Sequence, residues 1–263
     1  MSTASARPLS LCATALALCG LLHSAAHAQT IALDVPYVPT PEPVVARMLE
    51  MANVSPDDYV VDLGSGDGRI AISAVKDRGA KAAYGIDLNP QRIEEAEANA
   101  QQAGVADKVV FEQGDLFKKD IADADVLTMY LLNTVNMRLR PVILDTLKPG
   151  TRVVSHAFSM DDWEPDRSDI VEGARIYLWI VPAKVTGNWQ IDSEGETFHV
   201  DLQQSFQEIT GVTQHQERLR GRLNGTELRL EIDGKLYVGQ VNGDRIEPIS
   251  AEGAVPGWSA RRS

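Results

Sequence analysis

Cysteine is nearly absent: the 263 residues hold two, Cys12 and Cys19, both close to the amino terminus. They lie in a Leu- and Ala-rich run from Leu9 to Leu22, with Arg7 ahead of it and Ala26-His27-Ala28 behind it as a small-x-small cleavage signal. That pattern is a secretory signal peptide, too short for a permanent membrane span, so residues 1–28 are expected to be removed and the chain exported to the periplasm or beyond. Leu11 and Leu18 precede the cysteines where a lipoprotein signal requires a small residue. From Gln29 onward there is no thiol, which excludes disulfides, thiol nucleophiles and Cys-ligated metals. Histidine is sparse as well: His199 and His215 have no third ligand nearby in sequence, so no metal site is expected. Basic charge is the smaller share, 25 Lys and Arg against 37 Asp and Glu, for a net charge of −12. Such a surface repels phosphate backbones, so no nucleic-acid partner is expected. No second long apolar run follows the first, and none predicts a membrane span after its removal.

What is present is organised around residues 59–75. Tyr59-Val60-Val61-Asp62-Leu63 is an apolar, β-branched run that reads as a buried strand. Gly64, Gly66 and Gly68 then break it at alternate positions, and Ile70-Ala71-Ile72-Ser73-Ala74-Val75 resumes as a helix. Strand, glycine turn and helix together present backbone N–H groups to a ligand at the carboxyl end of a sheet. A dinucleotide site has the spacing G-x-G-x-x-G. Here the third glycine comes one residue early and Asp62 precedes the turn. An acid there suits an ammonium or sulfonium better than a pyrophosphate.

The segment Asp62-Leu63-Gly64-Ser65-Gly66-Asp67-Gly68 resembles motif I of the class I S-adenosylmethionine-dependent methyltransferases. The arm Tyr37-Val38-Pro39-Thr40-Pro41 resembles one carried by a group of protein-lysine methyltransferases, where it closes over the methionine end of the cofactor. By physics alone the arm is a rigid helix start, with Thr40 as N-cap and Pro41 at the first helical position. The resemblance covers Pro36 to about Pro182 and implies S-adenosylmethionine as cofactor. It places Gly64, Ser65, Gly66 and Gly68 around the pocket, with Tyr37, Thr40 and Asp62 at the amino-acid end. Asp87 and Leu88, at the end of the strand Ala82 to Asp87, come to the ribose, and Asp115 and Leu116 to the adenine. A strand over Asp125 to Leu132, a helix through Val142 to Leu147, a strand Thr151 to Phe158 and a last strand Ala174 to Val181 complete a Rossmann-like, doubly wound, mostly parallel α/β sheet.

Methyl transfer from a sulfonium is an in-line displacement that needs no metal and no covalent intermediate. Acceptor-side groups are expected at the ends of the fourth and fifth strands: Tyr130, Asn133 and His156 as candidate catalytic residues, with Asp161 and Trp163 nearby. No Asp-Pro-Pro-Tyr sequence follows the fourth strand, so amide or adenine methylation has no support. From Val185 the texture changes to short alternating runs. Asn224-Gly225, Asp233-Gly234 and Asn242-Gly243 are hairpin signals within it. A separate all-β meander of seven or eight strands is expected over 183–263, after a methyltransferase domain over 29–182. It must close into a barrel or dock to protect its edges, with Trp189 and Trp258 as core plugs brought together near its ends. Three functions stay open at this point: methylation of a protein lysine, methylation of a small amine or hydroxyl compound, and an adenosyl-ligand binding protein without turnover.

Overall fold

A computed structural model describes residues 1–2 and 37–263; the rest of the expected signal segment and Pro36 at the start of the arm lie outside the described residues. Two β-structures follow one another within one compact unit. The first is a seven-stranded sheet of order β3-β2-β1-β4-β5-β7-β6. Its parallel strands are β1 (Tyr59–Leu63), β2 (Ala82–Asp87), β3 (Val109–Gln113), β4 (Val126–Met129) and β5 (Arg152–His156), and an antiparallel pair, β6 (Arg167–Val171) and β7 (Ala174–Ile180), closes one edge. The strand order reverses between β1 and β4, where an open α/β sheet leaves a crevice for a ligand.

Alternation along β1 explains the layering. Val60 packs with the helices α1 (Glu42–Met51), α2 (Arg69–Lys76) and α3 (Pro90–Ala103) on one face. Val61 and Leu63 pack with α4 (Asn133–Thr146) on the other. The α3 boundaries follow their sequence signals: the Asn89 side chain accepts from Gln91 N at 3.0 Å, and Gly104 ends the helix in the left-handed conformation.

Three expectations need correction. Thr40 is not the N-cap of α1; Pro41 occupies that position without a side-chain cap, and the Thr40 hydroxyl points elsewhere. The fourth strand stops at Met129, so Tyr130, Leu131 and Leu132 leave the sheet. Helix α4 begins at Asn133 and runs through Pro141, well before the apolar stretch that marks it in the sequence. Strand β6 escaped prediction because it is a short, polar edge strand with no alternating apolar face.

The second structure is a closed eight-stranded barrel: β8 (Gly187–Ser193), β9 (Glu196–Ser205), β10 (Glu208–Thr213), β11 (Arg218–Asn224), β12 (Glu227–Ile232), β13 (Lys235–Asn242), β14 (Arg245–Pro248) and β15 (Ser259–Arg262). Closure through β15 and β8 removes both free edges of the meander. Asp233-Gly234 forms a two-residue turn as expected. In the other two predicted hairpins the loops are Gly225-Thr226 and Gly243-Asp244, one residue later, because Asn224 and Asn242 still pair across the ladder. Trp189 and Trp258 are both fully buried in the barrel core, where Trp258 meets Tyr237 edge-on at 5.3 Å.

Candidate active site

The crevice at the strand switch holds a cleft of about 210 Å³. Its floor is Gly64, Ser65 and Gly66 after β1; Asp87 stands at the end of β2; Tyr130, Leu131 and Leu132 follow β4; Phe158 follows β5; and the arm from Tyr37 to Thr40 forms the remaining wall. These groups come from four consecutive strand ends and the amino-terminal arm, so the sheet order itself assembles them.

The glycine turn is held rigidly. Asp87 accepts from Gly66 N at 3.0 Å through one carboxylate oxygen and from Asn89 N at 2.8 Å through the other. A Cβ on Gly66 would sit 2.6 Å from the Tyr37 ring, so the arm lies directly on the turn. Gly68 serves packing instead of the cleft: at φ +81° it caps α2, and a Cβ there would meet Phe111 at 2.4 Å and Ala96 at 2.9 Å.

The arm is fastened by residues the sequence reading did not single out. Arg69 donates to the Thr40 carbonyl at 2.9 Å and pairs with Asp67 at 2.6 Å. The Tyr37 hydroxyl donates to Asp67, and the Arg92 guanidinium lies 4.5 Å from the Tyr37 ring centre. Burial alone would raise the Asp67 carboxyl, but Arg69 and Tyr37 hold it below the usual carboxylate range. Burial and the nearby Asp67 charge raise the Tyr37 phenol. Asp67 was visible inside motif I and Arg69 directly after it, yet a motif gives spacing and not partners.

Beneath the turn lies Asp62, 1 % exposed. Its Oδ1 accepts from Thr128 Oγ1 at 2.7 Å, while Oδ2 has no hydrogen-bond partner among the described residues. Burial pushes its carboxyl up to about 7, against the lowering effect of the Thr128 hydrogen bond. Ser65 Oγ, in the floor itself, is likewise buried without a partner among the described residues. Asp67 and Asp87 in the lining, with Asp62 buried behind it, make the surroundings of the cleft electronegative, which suits a ligand carrying positive charge.

On the acceptor side the Tyr130 ring covers His156, with centroids 3.8 Å apart, and faces Phe158 at 6.3 Å. His156 is 4 % exposed, and its Nδ1 lies 3.1 Å from Thr40 Oγ1. Burial lowers its pKa, which keeps the ring neutral near pH 7. His156 therefore ties the arm to β5 from behind the wall, and Tyr130 and Phe158 present the cleft surface.

Of the residues singled out from sequence, the structure brings Tyr37, Thr40, Gly64, Ser65, Gly66, Asp87 and Tyr130 into one cleft lining. The remaining ones stand outside it. Asp62, Gly68 and His156 lie behind it, and Leu88 offers its carbonyl to Gln113 Nε2. Asn133 donates to Asp161 at 2.8 Å. Asp115 caps the following turn through Phe117 N at 3.0 Å and pairs with Lys118, while Leu116 packs on the α4-side core. His199 and His215 both touch Gln214 on the barrel.

Comparison with known proteins agrees with this geometry. The family described as the ANTKMT methyltransferase domain matches residues 62–167. A protein-lysine N-methyltransferase of Saccharolobus islandicus is 50 % identical over 151 residues, which cover 56 % of this chain and 94 % of the relative. The mouse adenine nucleotide translocase lysine N-methyltransferase is 35 % identical over 133 residues, 51 % of this chain and 57 % of that protein. A crystal structure of an RNA methyltransferase from Salinibacter ruber with S-adenosyl-L-homocysteine is 52 % identical, has a TM-score of 0.55, and is covered over 96 % of its length by 56 % of this chain. The stretch shared with this chain makes up 94 % of the Saccharolobus protein and 96 % of the crystallised Salinibacter chain. On these grounds the chain belongs to the class I S-adenosylmethionine-dependent methyltransferases, in the protein-lysine N-methyltransferase group.

Proposed function

We propose that this chain is an exported methyltransferase that transfers a methyl group from S-adenosylmethionine to the Nζ of a protein lysine. The carrying observation is the half-identity to a protein-lysine N-methyltransferase over nearly its whole length. The cleft is consistent with that acceptor. Its lining includes Tyr37, 40 % exposed, and Val38, 54 % exposed, together with Tyr130 and Phe158, apolar surfaces suited to a lysine stem.

S-adenosylmethionine supplies an activated methyl group on a positively charged sulfur. In this reading Gly64, Ser65 and Gly66 let it approach the backbone, Asp87 takes the ribose hydroxyls, and the arm from Tyr37 to Thr40 covers the amino-acid end. Asp62 sets the negative potential below; positive charge above would favour its ionised form. Asp115 and Leu116 remain the proposed adenine neighbours. Tyr130 and Phe158 orient the acceptor and exclude water, and desolvation helps an amine with an ordinary pKa of about 10.4 give up its proton. Fixing nucleophile and methyl group in line can account for roughly 7–11 kcal/mol of the barrier. Export rests on the segment before Gln29, and the barrel is then carried outside the cytosol together with the enzyme.

Methyl-labelled S-adenosylmethionine offered with poly-L-lysine, with free lysine and with mixed RNA tests the reading. Label recovered as methyl-lysine from the polymer supports it. Label in RNA alone would replace it with the chemistry named for the Salinibacter relative, although the net charge of −12 opposes an RNA acceptor. Label in free lysine alone would make the acceptor a small molecule.

A further inference from the structure

The barrel meets the sheet at its β11–β12 turn, where Gly225 lies against Gly150 and Ile180, and at a second place that touches the cleft loop. The tip of its β9–β10 hairpin, Phe206-Gln207, packs with the α4-side core of the sheet, apart from the barrel's own core. The Phe206 ring stacks on Trp163 with centroids 5.8 Å apart and planes at 15°, and the Arg140 guanidinium lies 5.1 Å from its centre. Gln207, 2 % exposed, donates from Nε2 to the Glu164 carbonyl at 2.7 Å. On the next strand, Arg222 pairs with Asp166 at 2.9 Å. Phe206 adopts φ +54°, a left-handed conformation that costs an L residue and that glycine would adopt freely. An aromatic held in that conformation at a hairpin tip marks a ring with a task.

Apart from Arg140 of α4, these contacts fall on residues 163–166, the far end of the loop that leaves β5. The near end of the same loop is Phe158, in the cleft wall. Within this loop, Ala157, just before Phe158, and Asp161, after it, also take left-handed conformations, φ +65° and +51°. Near Phe158 the loop is tied by Ser155 Oγ to the Phe158 carbonyl at 2.7 Å and by Asn136 to the same carbonyl at 3.2 Å. Trp163 is fully buried, and its carbonyl accepts from Trp179 Nε1 at 2.7 Å. A segment with two strained residues keeps its shape only while its surroundings hold it at both ends. Ser155 and Asn136 hold the cleft end, and the other end is held between β7, through Trp179, Leu178 and Ile180, and the barrel.

We propose that the barrel braces the acceptor-side wall of the methyl-transfer cleft, with Phe206 as a positioning residue that acts through Trp163 and the 157–166 loop on Phe158. The proposal rests on methyl transfer in this cleft and not on lysine as the acceptor. A purely adhesive contact would hold the barrel in place without affecting the loop or the reaction.

The test compares the full chain with Phe206→Ala, Phe206→Leu and Phe206→Tyr. Lys184→Ala, which breaks an exposed ion pair to Asp145 of α4 away from the loop, is the control. Hydrogen exchange read by mass spectrometry is expected to speed up in peptides spanning 157–166 by about tenfold or more in Phe206→Ala, with β1 to β4 unchanged. Transfer to poly-L-lysine should fall by about tenfold, mainly through KM for the polymer, while S-adenosylhomocysteine affinity stays within about twofold. Phe206→Tyr should restore both readouts, and Lys184→Ala should change neither. Phe206→Leu keeps apolar bulk without a stacking face, so it carries the test if the alanine variant does not fold. Unchanged exchange in the loop, or a loosened loop with undiminished transfer, would overturn the brace. If the unmodified chain leaves poly-L-lysine unlabelled, the lysine reading fails, and exchange in the loop alone then decides the brace.

Discussion

At the scale of single residues the site depends on a few carboxylates in unlike surroundings. Asp62 is buried and raised to about 7, whereas Asp67 is held low by Arg69 and Tyr37. The sign of the Asp62 effect on stability follows from linkage. Unfolded, this carboxyl titrates near 3.9, so between about pH 4 and 7 the folded state binds the extra proton and the contribution to stability falls as pH rises. Its cost is absent below the unfolded pKa and complete above about 7, where a shift of this size corresponds to roughly 4 kcal/mol. His156, lowered by burial, works the other way: its contribution is lost as pH falls below the free imidazole value of about 6.5. The two are separated by difference. Urea midpoints of the parent chain and Asp62→Asn, which keeps an acceptor for Thr128, should converge near pH 4, with the variant more stable by several kcal/mol at pH 8. A gap independent of pH would mean that Asp62 is not buried in its charged form.

At the scale of elements the glycine turn separates into two tasks. Gly68 faces α3 and β3, and Gly66 faces the arm. Gly68→Ala forces a left-handed alanine against Phe111 and Ala96 and should destabilise the fold by about 2–5 kcal/mol, read as a lowered melting temperature. Gly66→Ala pushes against one ring of an arm that can yield. It should cost less stability while weakening S-adenosylhomocysteine binding by about tenfold or more, because the arm is displaced from the cleft. Equal losses of stability in the two variants would contradict this division. The arm has its own test: Thr40→Val removes the contact to His156, and a lost hydrogen bond of about 1 kcal/mol should raise the cofactor Kd roughly fivefold. No change would place Thr40 outside the cofactor wall.

The elements were legible in the sequence wherever local pattern decides them. The β1 run, the glycine turn and the Asn89-Pro90 start of α3 are of this kind, and so are the hairpins of the barrel. What depends on tertiary partners was not legible. Thr40 has the residue type of an N-cap, but a histidine 116 positions away claims its hydroxyl. Strand β6 has no face of its own to mark it, and Phe158 is one aromatic among several until β5 and the loop aim it at the cleft. Asp67 stood in plain view within the motif and Arg69 just after it, but their hold on the arm shows only in the fold.

At the scale of the whole molecule, the methyltransferase sheet is joined to a closed eight-stranded barrel, and the proposal of export concerns the segment ahead of both. Expression in a bacterium with the first 28 residues present should yield a periplasmic protein whose amino terminus is Gln29; a cytosolic product that keeps Met1 would contradict export. The account turns, finally, on one cleft receiving one cofactor. The most direct measurement is calorimetric titration of the chain from Gln29 to Ser263 with S-adenosylhomocysteine, alongside Asp87→Ala. The account predicts a Kd on the order of micromolar for the parent chain and an affinity about a hundredfold weaker for the variant, as expected from losing one or two charge-assisted hydrogen bonds. Equal affinities in the two proteins, or no binding by the parent chain at millimolar ligand, would contradict it.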